Sequence, residues 1–129
     1  MNFNIFENII ETIIYYDKPV LFISNLNNKL YLCTLIKIDG ESEDWLASEI
    51  SETSYRDLKS GLVDYYTCFK NSVSGNSQIL EVKDCKITYL LELKSSELLD
   101  ENLPNKNVYY TKLRNRRLDN PVINNRPYF

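Results

Sequence analysis

The run Tyr109-Tyr110-Thr111-Lys112-Leu113-Arg114-Asn115-Arg116-Arg117 combines residue types and a spacing that suit one chemistry. In an extended chain Lys112, Arg114 and Arg116 fall on the same side, because side chains alternate along a strand. Guanidinium forks match phosphate oxygens, and phenol rings stack on bases. Tyr109, Tyr110, Lys112, Arg114, Arg116 and Arg117 are therefore the candidate binding residues for a small phosphorylated, nucleotide-like ligand. The bland alternative is a solvated tail, or one docked on the acidic body of its own chain.

A second constellation is acidic: Asp39-Gly40-Glu41-Ser42-Glu43-Asp44. It lacks the twelve-residue spacing and terminal bidentate glutamate of a helix–loop–helix calcium site, so it reads as a solvated hairpin loop and not a metal site. Glu41, Glu43 and Asp44 also define an alternative function. An acidic face there could cover the basic, nucleic-acid-binding surface of a protein partner, as an immunity protein, antitoxin or regulatory subunit would.

Several chemistries drop out. The chain has no histidine, so no imidazole base exists. With only 3 glycines there is no loop that cradles phosphates and no dinucleotide fingerprint. Cys33, Cys68 and Cys85 are too far apart in sequence to supply paired zinc ligands, and their apolar surroundings read as buried, reduced thiols. No catalytic residue, cofactor or metal is expected, and the chain reads as a non-enzymatic binding protein.

At 129 residues the length suits one domain with one core. The formal net charge is −3, unevenly spread. Residues 1–100 carry 9 Lys/Arg against 16 Asp/Glu, whereas residues 101–129 carry 6 against 2. An acidic body repels duplex nucleic acid and repels a small phosphate ligand less. No apolar run is long enough to span a membrane, and Met1-Asn2-Phe3-Asn4 has no basic signal-peptide start, so a cytoplasmic location is expected. The frequent Asn, Lys, Ile and Tyr suit an AT-rich coding genome, as in a low-GC bacterium or its phage. Past Pro121 the tail holds Val122, Ile123, Tyr128 and Phe129, apolar anchors that dock either on a neighbouring subunit, making a homo-oligomer, or back on the same domain.

The elements that must position these residues follow from periodicity. Phe3, Phe6, Ile9, Ile10, Ile13 and Ile14 have helical spacing, yet Ile13-Ile14-Tyr15-Tyr16 favours a strand, so a helical or irregular start becomes a strand near Thr12. Strands are expected over Val20–Ser24, Leu30–Asp39 and Trp45–Ile50. The second of these is apolar on both faces, as a covered central strand is. Ser51 caps a helix to Ser60 with Gly61 closing it, and Asp64 caps a second through Asn71, burying Tyr65, Cys68 and Phe69. Ile79–Val82 and Cys85–Leu93 form a last hairpin turning at Lys83-Asp84, after which Leu98 and Leu99 fold inward. The expectation is an α+β domain over residues 1–110, a mostly antiparallel sheet of five to six strands with two short helices inserted between strands four and five. A basic, extended C-terminal arm covers 111–129.

Tyr15-Tyr16-Asp17-Lys18-Pro19-Val20-Leu21-Phe22, with Tyr31-Leu32, the Ser60-Gly61 stop, Phe69, Leu103-Pro104 and Val108-Tyr109, resembles an uncharacterised family of small bacterial and phage domains of unknown function. The resemblance spans roughly residues 10–110, with Lys18 in place of the usual glycine of a Tyr-Tyr-Asp-Gly-Pro-Leu-Leu-Phe signature. It implies no catalytic residue. With a phage origin, the expected role is an inhibitor of host defence that sequesters a nucleotide-like signal.

Overall fold

The computed structural model describes residues 4–15, 18–110 and 116–117, with backbone alone for Tyr89, Leu90, Arg116 and Arg117. The strands are β1 (Ile9–Tyr15), β2 (Pro19–Leu26), β3 (Lys29–Asp39), β4 (Ser42–Ile50), β5 (Asn76–Lys83), β6 (Lys86–Lys94) and β7 (Arg116–Arg117). Helices α1 (Glu52–Ser60) and α2 (Tyr65–Lys70) lie between β4 and β5, and two 3-10 turns, Ser95–Glu97 and Asp100–Asn102, follow β6. All seven strands belong to one sheet in the order β6-β5-β4-β3-β2-β1-β7. Every pairing is antiparallel except β1 with β7. This is an α+β fold built on a mostly antiparallel sheet.

The register runs straight across the sheet. Ile14, Leu21, Thr34, Leu46, Ile79 and Leu91 pair in turn from β1 to β6, so they share one face. That face carries the helices, for Glu11 of β1, paired with Ile23 two residues along β2 from Leu21 and so on the same side, meets Tyr55 and Lys59 of α1. On the opposite face Phe6, from the turn before β1, packs on Phe22 and Trp45 at 5.6 and 5.0 Å between ring centroids. Cover on both sides buries Leu32, Cys33, Thr34 and Leu35 of the central strand β3. The central-strand expectation is met for the physical reason it was made.

The helices form where their caps say. Ser51 Oγ accepts from the Ser54 N–H at 3.0 Å, and Gly61 closes α1 at φ 81°, a left-handed conformation that glycine adopts without a Cβ clash. Asp64 Oδ1 caps α2 through the Thr67 N–H at 2.8 Å, and the helix ends at Lys70, one residue before the expected stop. Tyr65, Cys68 and Phe69 are its buried side.

Other expectations are corrected. Strand β1 starts at Ile9, not Thr12, because Asn4 closes a turn, its Oδ1 and backbone oxygen accepting from the Phe6 and Glu7 N–H groups. Strand β4 starts at Ser42, not Trp45, since Gly40 at φ 63° permits a two-residue turn and the polar stretch joins the ladder. The β5–β6 hairpin turns at Asp84-Cys85, both at positive φ (52° and 61°), so Cys85 is exposed at a hairpin tip instead of buried in a strand. Leu99 is 58% exposed, because the 3-10 turns present Leu98 and Leu103 to the core in its place. The C-terminal segment adds the seventh strand.

Candidate functional site

Glu11 organises the approach to the basic segment. Its carboxylate accepts the hydroxyl of Tyr110, accepts that of Tyr55 at 3.2 Å and pairs with Lys59 at 3.3 Å. The Lys59 ammonium lies 5.3 and 5.8 Å from the ring centres of Tyr55 and Tyr110, within cation–π range. Glu11 beside it holds Lys59 above the usual lysine range. Tyr65, wholly buried next to this group, has a hydroxyl with no partner among the described residues, and burial pushes its ionisation far up.

Residues 107–110 are tied down in parallel. Asp64 Oδ2 accepts the Asn107 N–H at 2.7 Å, with Asn107 at φ 67°, and the Tyr65 N–H donates to the Val108 oxygen at 3.2 Å. Tyr109 is half-buried and Tyr110 is 5% exposed. Further along, Arg116 pairs with Ile14 and Arg117 with Tyr15 at the edge of β1. Lys112 and Arg114 lie outside the described residues. The folded domain therefore fixes the basic run at both ends, and the ring best placed to stay accessible is Tyr109.

The three acidic candidates are not brought to one surface. Glu41 is exposed in the Gly40–Glu41 turn. Glu43 and Asp44 are neighbours in β4, so they point to opposite faces. Glu43 pairs with Lys18 and accepts from Trp45 Nε1 at 3.3 Å on the Phe6 side. Asp44 stands on the helix face, opposite Lys37 of β3 and Glu81 of β5. Burial, Glu81 and Asp39 push its carboxyl above the ordinary value, with Lys37 pulling the other way.

Asp44 lines a cleft of about 360 Å³ that α1 and α2 leave open. Ile36, Ile79 and Leu91 form its floor, with Lys37, Asp44 and Glu101 around the rim. Two register shifts lie at its lining residues, one beside Ile36 in β3 and one between β5 and β6 after Ile79. Each inserts an extra residue and bends the strand. Leu91 is 41% exposed there. Sequence reasoning singled out Asp44 but missed the cleft, because bulges leave no periodic signature.

It also missed a buried chain of hydroxyls. Ser48 and Ser77, Ser77 and Ser95, and Ser95 and Ser72 each approach to 2.6 Å, and Ser72 ends the chain on the Asn76 oxygen at 3.0 Å. Among the described residues its hydrogen-bond partners are other serines and the Asn76 oxygen, so it works as a clamp joining β4, β5 and the first 3-10 turn.

The buried thiols are poor nucleophiles. Burial holds the Cys33 thiol well above the usual range and, with Asp64 and Asp57, pushes Cys68 up to about 12. Among the described residues no three His, Cys, Asp or Glu side chains group to hold a metal ion, and no helix is long and apolar enough to cross a membrane. Comparison with known protein families, curated proteins and solved structures finds no match.

Proposed function

We propose that this chain is a non-enzymatic binding protein that sequesters a small phosphorylated, nucleotide-like ligand on its basic C-terminal segment. The observation that supports this reading is the anchoring of that segment at both ends. Tyr110 is held by Glu11, and Arg116–Arg117 run beside Ile14–Tyr15. A cationic stretch held against a rigid sheet edge loses less conformational freedom on binding than a loose tail does. Tyr109 supplies a stacking ring, and Lys112, Arg114, Arg116 and Arg117 supply the charges. In a phage setting the protein acts as a cytoplasmic inhibitor of host defence that removes a nucleotide signal, with the arm completing a homo-oligomer.

The test is native mass spectrometry of protein purified gently from its own host or from infected cells. The expected result is an added mass of a few hundred daltons, the order of a nucleotide, lost in Arg114→Ala and in Arg116→Ala. Full retention of the ligand in both variants overturns the reading.

A second reading, the protein-interaction module, is favoured by one observation: Asp44 lines a cleft whose other walls include Ile36, Ile79 and Leu91.

A further inference from the structure

The cleft over β3–β6 has the chemistry of a receptor for a basic side chain on an apolar neighbour. Its floor is three aliphatic residues, Ile36, Ile79 and Leu91, aligned by the ladder that pairs Ile79 with Leu91. Its rim holds two carboxylates, Asp44 and Glu101, against one ammonium, Lys37. Asp44 faces two further acids, Glu81 across β5 and Asp39 along β3, and the Glu81 carboxylate accepts from Ser42 Oγ at 2.9 Å. A cation placed between Asp44 and Glu101 relieves this crowding of like charge. The stem of an arginine or lysine, or an adjacent leucine, covers the exposed aliphatic floor. The cleft volume of about 360 Å³ lies at the low end of known ligand sites, room for a few side chains and not for a folded surface.

We infer that this cleft docks a short basic, apolar peptide segment of a partner protein, with an arginine or lysine head between Asp44 and Glu101 and aliphatic contacts on Ile36, Ile79 and Leu91. The inference rests on the protein-interaction reading and not on the basic C-terminal segment. The two binding regions lie apart, for the cleft spans β3–β6 while β7 is at the other edge of the sheet.

The experiment uses the full chain and a fluorescein-labelled acetyl-Leu-Arg-Leu-Arg-amide probe, with acetyl-Leu-Glu-Leu-Glu-amide and spermidine as comparators. Anisotropy measures affinity, and amide chemical shifts locate the site. The expected result is binding of the arginine peptide alone, with shifts centred on Lys37, Asp44, Ile79, Leu91 and Glu101. Asp44→Asn and Glu101→Gln should each weaken it about tenfold, the scale of a partly desolvated ion pair. Leu91→Lys, at an exposed position, should abolish it, and circular dichroism confirms that each variant is folded. Arg114→Ala should leave peptide affinity unchanged, which separates failure of this inference from failure of the phosphate-ligand reading. Wild-type affinity in both acidic variants, equal binding of the glutamate peptide, or shifts elsewhere overturns the inference. Spermidine matching the peptide overturns it too, reassigning the cleft to small polyamines.

Discussion

Removing the Asp64 carboxylate breaks two junctions at once. One oxygen caps α2 through Thr67 N–H at 2.8 Å, and the other holds Asn107 N–H at 2.7 Å. Loss of an N-cap costs about 1 kcal/mol. Loss of a hydrogen bond to a charged acceptor costs about 1.5–3 kcal/mol. Asp64→Ala should therefore lose about 3 kcal/mol. With an unfolding entropy of roughly 2.1 cal/mol/K per residue, that lowers Tm by about 10 °C. Asp64→Asn keeps the cap, because asparagine is as good there, but presents no second carboxylate oxygen to Asn107, so about half the loss is expected.

The same residue carries a pH signature. Burial acts to raise the Asp64 carboxyl, but hydrogen bonds from Thr67 and the Asn107 N–H outweigh it and leave it below the ordinary value of 3.8. A carboxylate depressed in the folded state contributes fully above its unfolded value, and that contribution is lost as pH falls through the folded value. Stability lost below about pH 4 should thus be smaller in Asp64→Asn than in the wild type. Urea unfolding followed by circular dichroism at pH 7 and at pH 3 measures both effects. A loss under about 0.5 kcal/mol in Asp64→Ala, the scatter of ordinary surface changes, refutes the assignment. So does an acid limb that Asp64→Asn leaves unaltered.

Two further outcomes are expected. Ser77→Ala cuts the buried hydroxyl chain, taking from Ser48 its hydroxyl partner and leaving Ser95 with Ser72 alone, so it should destabilise by about 1–3 kcal/mol in urea titration, whereas the exposed Ser96→Ala should stay within about 0.5 kcal/mol. Of the three thiols, Cys85 alone is exposed, so an Ellman titration should modify one per native chain and all three only in denaturant. Native reaction of a second thiol would contradict the burial of Cys33 and Cys68.

Much of the fold was legible because it rests on local rules. The alternating apolar residues of Leu30–Asp39 demand cover on both faces. Ser51, Gly61 and Asp64 can each do one geometric job at a helix end. The turns were read less well. Polar Ser42–Asp44 looks like loop in sequence but pairs with β3 and β5, since an edge of polarity costs a strand little once its backbone is paired. Cys85 looks like the first residue of an apolar strand, yet the two-residue turn forces it into the left-handed region.

The basic segment and the acidic loop were visible as compositions, and composition does not say which side chains meet. The sequence by itself determined the absence of an imidazole base, the helix caps, the central strand and the charge split between body and tail, because each follows from residue type or short-range spacing. Only the tertiary structure decided that Tyr110 turns inward to Glu11, ninety-nine residues away in sequence, and that β7 closes on β1. It alone separated Glu43 from Asp44 across the sheet and opened the cleft between two bulges. Those outcomes depend on register and on long-range contacts, where a single inserted residue changes the face a side chain occupies.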